Sequence, residues 1–292
     1  MTRNKKVLSS AILIAMLWGG GFPISKIAIE QIGVWPFRFY STITSVLILI
    51  FLVLILYKKK PNFYDLLFCI PLGILNVFLV PVLNNISLKY TDSVKASVLI
   101  YTMPAITSFL TMISSRRISF RSITVSILCI LGVLIFISLK EISFGECIIL
   151  VSAFAWALGT FLSEKIPTQL DIFSKVLYQN IVSFLLMIII TPFLSTNLNI
   201  FNFNGEFFQA VTHIFIPILY MGIASGVLVY ILWFYMIERG GAELTAYSAL
   251  ISPIFSVLIS YYFLNESITR NMFIGMLFIF SSVIIAFIGK KK

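Results

Sequence analysis

The chain has 292 residues, 60% of them hydrophobic and only 11% charged, and a net charge of +10. Soluble domains are nearer half apolar and a quarter charged, so this composition excludes a soluble globular fold. At about 20 residues per crossing the length divides into ten membrane spans with short connections, and no room is left for an extramembranous domain.

Apolar runs predict helices at roughly 7–30, 35–57, 63–86, 92–114, 119–139, 143–163, 173–194, 211–236, 243–264 and 268–289. Runs this long are helices, because a helix satisfies every backbone amide inside hydrocarbon; the alternation that a membrane barrel needs is absent. The first run follows Arg3, Lys5 and Lys6 and so imitates a signal peptide. It extends to about Ile29, too long for a signal core, has no clear small-residue cleavage site, and is expected to be retained. In it Trp18, Gly21, Phe22 and Ser25 follow helical spacing and share one face. The second run opens on Pro36 to Arg38, and the third contributes Asn76, Asn84 and Asn85. The fourth carries Tyr101, Thr102 and Pro104. On the sixth, Trp156, Gly159, Thr160 and Ser163 repeat the spacing of the first, and the seventh supplies Gln179 and Asn180. Residues 195–209 form the one long connection, rich in Asn and Phe and without Lys or Arg, which reads as a surface loop or short interfacial helix. The eighth run holds Tyr220, Ser225, Tyr230 and Trp233, with His213 near its start. The ninth holds a polar stripe of Thr245, Ser248, Ser252 and Ser256, with Tyr247 beside it and Pro253 within it.

Ten spans put both termini on one side, and fifteen of the 21 Lys and Arg then fall on that side. The positive-inside rule makes it the cytoplasm and accounts for the basic balance as a topology signal, so no nucleic-acid partner is expected. Lys26, Arg38, Glu164, Glu238 and Glu266 lie within a turn or two of predicted helix ends, where snorkelling accounts for them. The three cysteines, Cys69, Cys129 and Cys147, read as small core residues and not as a disulfide framework or metal site.

The two halves match each other. Trp18, Gly21 and Ser25 recur 138 positions later as Trp156, Gly159 and Ser163, as do Tyr40 and Ser45 as Tyr178 and Ser183. Past the long loop Pro104 matches Pro253 at an offset of 149. The fold expected is therefore an all-α integral membrane protein of two five-helix repeats, 1–139 and 140–292. Because five is odd, the second repeat is inverted relative to the first, an arrangement suited to alternating access.

The side chains that could carry function are Trp18, Phe22, Asn76, Asn84, Tyr101, Thr102, Trp156, Thr160, Gln179, Asn180, Tyr230, Trp233, Tyr247, Ser248 and Ser252. Aromatic and neutral polar groups spread over many helices suit a small polar solute bound by hydrogen bonds and stacking in a central cavity. Interhelical packing and hydrogen bonding use the same residue types, and both readings stay open. Pro104 and Pro253 each remove a helical hydrogen bond and read as hinges or as static kinks. The sequence shows no nucleophile with a base, no metal-ligand spacing and no phosphate loop, so catalysis, a metal and a cofactor are not expected. With no carboxylate or His at mid-depth, proton coupling has no support.

The Trp18 to Phe22 start followed by Lys26, the Pro36 to Arg38 opening of the second run, and Asn265-Glu266 before the tenth resemble the EamA-type family of the drug/metabolite transporter superfamily. The resemblance covers essentially the whole chain. It departs from that family in having Arg116 and Arg117 where the second half has Asn265 and Glu266, since the family often has an acidic residue in both places. The resemblance implies a secondary transporter of the inner, cytoplasmic membrane, commonly an exporter of amino acids or related metabolites, acting as a monomer or weak dimer. The alternatives are an importer or exchanger of a nucleoside or cofactor-like solute and, from another class, a membrane enzyme or lipid-handling protein.

Overall fold

The computed structural model describes residues 3–56, 62–137, 143–166, 168–194, 209 and 212–288. Among them every regular element is helical. In chain order these are α1 (Ser9–Ile32), α2 (Val34–Leu56), α3 (Phe63–Ser87), α4 (Ser93–Ser115), α5 (Phe120–Ile137), α6 (Phe144–Lys165), α7 (Ile172–Leu194), α8 (Phe215–Gly240), α9 (Ala242–Leu264) and α10 (Arg270–Ile288). Eight of them, all but α5 and α10, are long and apolar enough to cross a membrane. The loop expected at 195–209 lies outside the described residues, Gln209 apart.

Large apolar side chains point outward all round the bundle: Leu47, Phe51 and Leu54 on α2, Ile127 on α5, Ile189 on α7 and Tyr262 on α9 are all exposed. Such a surface is at home in lipid. The interior instead holds hydroxyls and amides, with Ser41, Thr42, Ser97, Thr107, Ser152, Thr160, Gln179, Ser248 and Ser252 nearly or fully buried. Lipid chains are as apolar as Leu and give helices no hydrophobic reason to associate, so small and polar residues hold the bundle through close packing and hydrogen bonds.

Two such contacts recur. The Ser45 hydroxyl of α2 donates to the Gly222 carbonyl of α8 at 2.8 Å, and the Ser183 hydroxyl of α7 donates to the Val77 carbonyl of α3 at 3.1 Å. Each joins a straight helix to one that widens into a π-helical stretch, Gly73–Leu79 in α3 and Tyr220–Val229 in α8. Glycine permits both approaches. A Cβ on Gly73 would meet the Gln179 carbonyl at 2.9 Å, and one on Gly222 would meet the Thr44 side chain at 2.7 Å. The outer pair, α5 and α10, runs antiparallel, with Arg121 Nε donating to the Ile285 carbonyl at 3.3 Å.

Cys69 and Cys129 are buried as expected, but Cys147 is exposed, because the first turn of α6 turns it away from the bundle. Arg38 also departs from expectation. It does not snorkel but is buried, since its side chain points from near the start of α2 into the bundle.

Candidate functional site

Interruptions in three helices shape the middle of the bundle. The expected continuous α1 breaks at Gly20, where Tyr220 of α8 presses against the backbone and a Cβ would meet its hydroxyl at 2.8 Å. The same hydroxyl donates to the Leu17 carbonyl, giving a partner to a backbone group beside the break. In α4 the backbone leaves helical geometry at Tyr101 and resumes at Met103. In α9 it is interrupted at Leu250 and Ile251 and resumes at Ser252. Pro104 and Pro253 thus sit in the first turn of a new helical segment, where a missing N–H is harmless, rather than within an unbroken helix.

These breaks surround a cavity of about 700 Å³, the space open to solvent included. Its walls are Trp18, Gly21, Phe22 and Ser25 of α1, Arg38 of α2, Val80, Pro81, Asn84 and Asn85 of α3, and Ile100 and Tyr101 of α4. Trp156 of α6 and Met221, Ser225, Gly226 and Tyr230 of α8 complete it. It occupies the half of the bundle that holds the C-terminal ends of α1 and α3 and the N-terminal ends of α2 and α8. Four rings meet at its base. The Trp18 and Trp156 rings meet edge to face with centroids 4.8 Å apart, and Trp233 lies 5.1 Å from the first and 5.2 Å from the second. Tyr101 approaches Trp156 at 6.2 Å. These separations are those of favourable aromatic pairs.

Of the fifteen side chains singled out from sequence, Trp18, Phe22, Asn84, Tyr101, Trp156 and Tyr230 line the cavity, and Trp233 lies buried beneath it. The structure does not bring the others to its wall. Asn76 is held by Ser163 at 3.5 Å and fills the space that Gly159 leaves open. Thr102 bonds the Leu99 carbonyl at 3.0 Å, Asn180 the Val176 carbonyl at 2.9 Å, and Ser248 the Thr245 carbonyl at 2.6 Å, each within its own helix. Thr160, Gln179 and Ser252 are fully buried away from the cavity. Tyr247 donates to Glu243 Oε1 at 3.1 Å, and Ser108 and Ser122 donate to the same oxygen at 2.9 and 2.5 Å, so one carboxylate ties α4 and α5 to α9. Sequence reasoning passed over this Glu243 and read the cavity's Arg38 as snorkelling. The available signal was a charged residue near the start of an apolar helix, which a snorkelling side chain gives equally well.

Both ends of the bundle carry a borrowed helix cap. Neither Asp92 before α4 nor Gly241 before α9 caps its helix with a side chain. Glu266, in the turn between α9 and α10, accepts instead from the Ser93 and Val94 amides at 3.1 and 2.9 Å and from the Ser93 hydroxyl at 2.8 Å. Lys26 of α1 pairs with it at 3.1 Å. Burial alone would raise the Glu266 pKa, but the Val94 amide, the Ser93 hydroxyl and the Lys26 ammonium together hold it below the ordinary carboxylate value. At the opposite end Glu164 of α6 accepts from the Ala242 amide at 2.6 Å. Beside it Lys175 pairs with Glu238 at 3.0 Å. His213 is exposed at the start of α8. Among the described residues no group of three or more His, Cys, Asp or Glu is placed to hold a metal.

The model of the EamA-like transporter family matches the chain twice, over residues 5–138 and 143–288. An uncharacterized transporter of Archaeoglobus fulgidus is 26% identical over 275 residues, covering 90% of this chain and 91% of its own. The uncharacterized transporter YoaV of Bacillus subtilis is 24% identical over 295 residues, covering 94% of each. One crystal structure of another protein superposes with a TM-score of 0.69 over 98% of both chains at 12% identity, a likeness of fold alone.

Proposed function

The chain belongs to the EamA-like transporter family, and on that premise we propose that it is a secondary transporter that moves a small polar metabolite across the cytoplasmic membrane by alternating access. The observation that carries this reading is the cavity itself, confined to one half of the bundle and closed at its base by Trp18, Trp156 and Trp233. A cavity in one half of the bundle, with aromatic side chains between it and the other half, fits one state of an alternating carrier.

In this reading α5 and α10 also cross, giving ten spans in two units, 1–139 and 140–292, of opposite orientation. The recurrence of structure at the sequence offset supports it. Gly73–Leu79 and Gly222 to Leu228 are π-helical, Met103 and Ser252 restart their helices, and Arg116 and Asn265 both end theirs in the left-handed conformation, each pair 149 residues apart. The Ser45 hydroxyl on α2 and the Ser183 hydroxyl on α7 bridge to matching helices with the units exchanged, reaching carbonyls one turn apart in the matched numbering. With both termini in the cytoplasm, the cavity lies in the outer half.

Purified protein in liposomes, assayed with labelled amino acids, nucleosides and organic acids, tests the proposal. Saturable flux of at least one solute is expected, and no such flux from protein shown to be folded would overturn it. Counterflow against unlabelled internal solute separates exchange from uniport, and reporters fused to each terminus test their cytoplasmic placement.

A further inference from the structure

We propose that the cavity holds a carboxylate-binding subsite built on Arg38 and Asn85, and that the solute moved is a monoanionic organic acid without an ammonium group. The proposal rests on the reading of this cavity as the transport path and names the class of solute that the path takes.

Arg38 is 7% exposed and lines the cavity, yet among the described residues its guanidinium has no hydrogen-bond or ion-pair partner, and its Nε is buried and unpaired. Removing a cation from water costs several kcal/mol unless an opposite charge and hydrogen bonds replace the water. Among the described residues no other ionised side chain lines the cavity, so they supply it with neither a counter-ion nor a competing carboxylate. The fork of N–H donors on a guanidinium matches the two oxygens of a carboxylate. On the same wall Asn85 is 2% exposed, with its Nδ2 donor also unpaired. Arg38 and Asn85 thus bring to the wall of one cavity, from different helices, donor groups for which the described residues supply no acceptor.

The rest of the wall narrows the class. A single cation suits one negative charge better than the two of a phosphate ester. With no Asp or Glu among the described residues of the wall, the ammonium of a zwitterionic amino acid has no counter-charge there. Below the donors, Trp18, Trp156 and Phe22 offer an aromatic surface for an apolar or flat body.

Three matched carboxylate and amide pairs, phenylacetate with phenylacetamide, indole-3-acetate with its amide and isovalerate with its amide, are titrated against the purified protein, read by tryptophan fluorescence and by thermal unfolding. At least one carboxylate is expected to bind tenfold or more tighter than its amide and tighter than phenylalanine or phenyl phosphate. Arg38→Gln abolishes that ratio, and Arg38→Lys keeps part of it. Should Arg38→Gln fail to fold, Asn85→Ala is expected to lower the same ratio several-fold. Equal binding of acid and amide in all three pairs, no binding by any acid, phenylalanine binding as tightly as phenylacetate, or a ratio unchanged in the variants overturns the subsite. Flux separates this from the parent reading. A carboxylate that binds selectively but is not moved defeats transport and leaves the subsite, whereas saturable flux of another solute without acid preference does the reverse.

Discussion

Trp156→Ala separates a wall of the transport path from a packing contact. The Trp156 ring meets Trp18 at 4.8 Å, Trp233 at 5.2 Å and Tyr101 at 6.2 Å. At about 0.5–1.5 kcal/mol for each aromatic pair, the three contacts amount to about 1.5–4.5 kcal/mol, in the range of about 3–5 kcal/mol typical for truncating a buried Trp. Folded proteins hold about 5–15 kcal/mol, so the variant still folds with a lowered midpoint. A solute that stacks on this ring loses a further aromatic contact of about 1 kcal/mol, about fivefold in affinity. The assay is saturable flux in liposomes of the solute that the wild type carries best, normalised to protein that elutes as a single folded species. Flux per folded molecule is expected to fall at least fivefold, and Trp156→Phe is expected to recover most of the stability and part of the flux. If flux per folded molecule equals that of the wild type while the folded yield falls, Trp156 only packs helices and the cavity is not the path.

Pro253→Ala restores a backbone N–H in the first turn of the resumed α9 segment. That N–H has no acceptor within the first turn, but Ala, unlike Pro, lets the helix run on across the break at Leu250 and Ile251, so transport kinetics should change, and unchanged rates at every concentration would refute the hinge. Gly73→Ala places a methyl 2.9 Å from the Gln179 carbonyl and 2.9 Å from Val182 Cβ. Forcing α3 from α7 should cost about 1–3 kcal/mol, read as a lower midpoint in detergent, and a midpoint equal to the wild type's would show that the helices slide freely. Glu266→Gln removes the charge that caps α4 and should cost about 1 kcal/mol, discounted for its partial exposure. Because folding lowers the Glu266 pKa, its contribution is complete above the unfolded carboxylate value of about 4.3 and fades as pH falls through the lower folded value. Wild type and Glu266→Gln should therefore converge in stability under acid, and a constant difference down to the lowest pH tolerated would refute the assignment.

Most of the helix layout was legible because a helix in lipid must be one long apolar run, and the runs read from sequence agree with the observed helices within a few residues. Half-matched side chains were harder. Trp18 and Trp156 stood out because indole is rare away from the interface, and both reach the cavity. Thr102, Asn180 and Ser248 carry the same chemistry in sequence, yet each turns back to a carbonyl of its own helix. That choice depends on which way the helix faces and on where its backbone breaks, and composition records neither. Arg38 was misjudged for a related reason. A long cation near a helix end can reach outward to water or inward to a cavity, and only the packing of α2 against α8 determines which.

Arg116 and Arg117, standing where the second half has Asn265 and Glu266, break the symmetry of the sequence, and the structure shows how the helix ends accommodate this. The N-terminus of a helix presents unpaired amides and favours an anion. At α4 that anion is Glu266, itself paired with Lys26. At α9 the position matching Glu266 is Arg117, which cannot accept a hydrogen bond, and the position matching Lys26 is Glu164, which accepts from Ala242 directly. The charges have changed places between the two positions, so each helix end keeps one carboxylate that accepts from its amides. What the proposed symmetry preserves at these ends is thus an anion at the start of α4 and of α9 rather than a residue type at a position. The two ends still differ in strength. The α4 cap takes two amides, a hydroxyl and an ammonium, whereas the α9 cap shows one amide. In a carrier whose two states exchange the roles of its halves, that difference biases the resting equilibrium, and Glu164→Gln and Glu266→Gln should shift it by different amounts. Equal shifts in the accessibility of a cysteine placed at Ser25 would contradict this account.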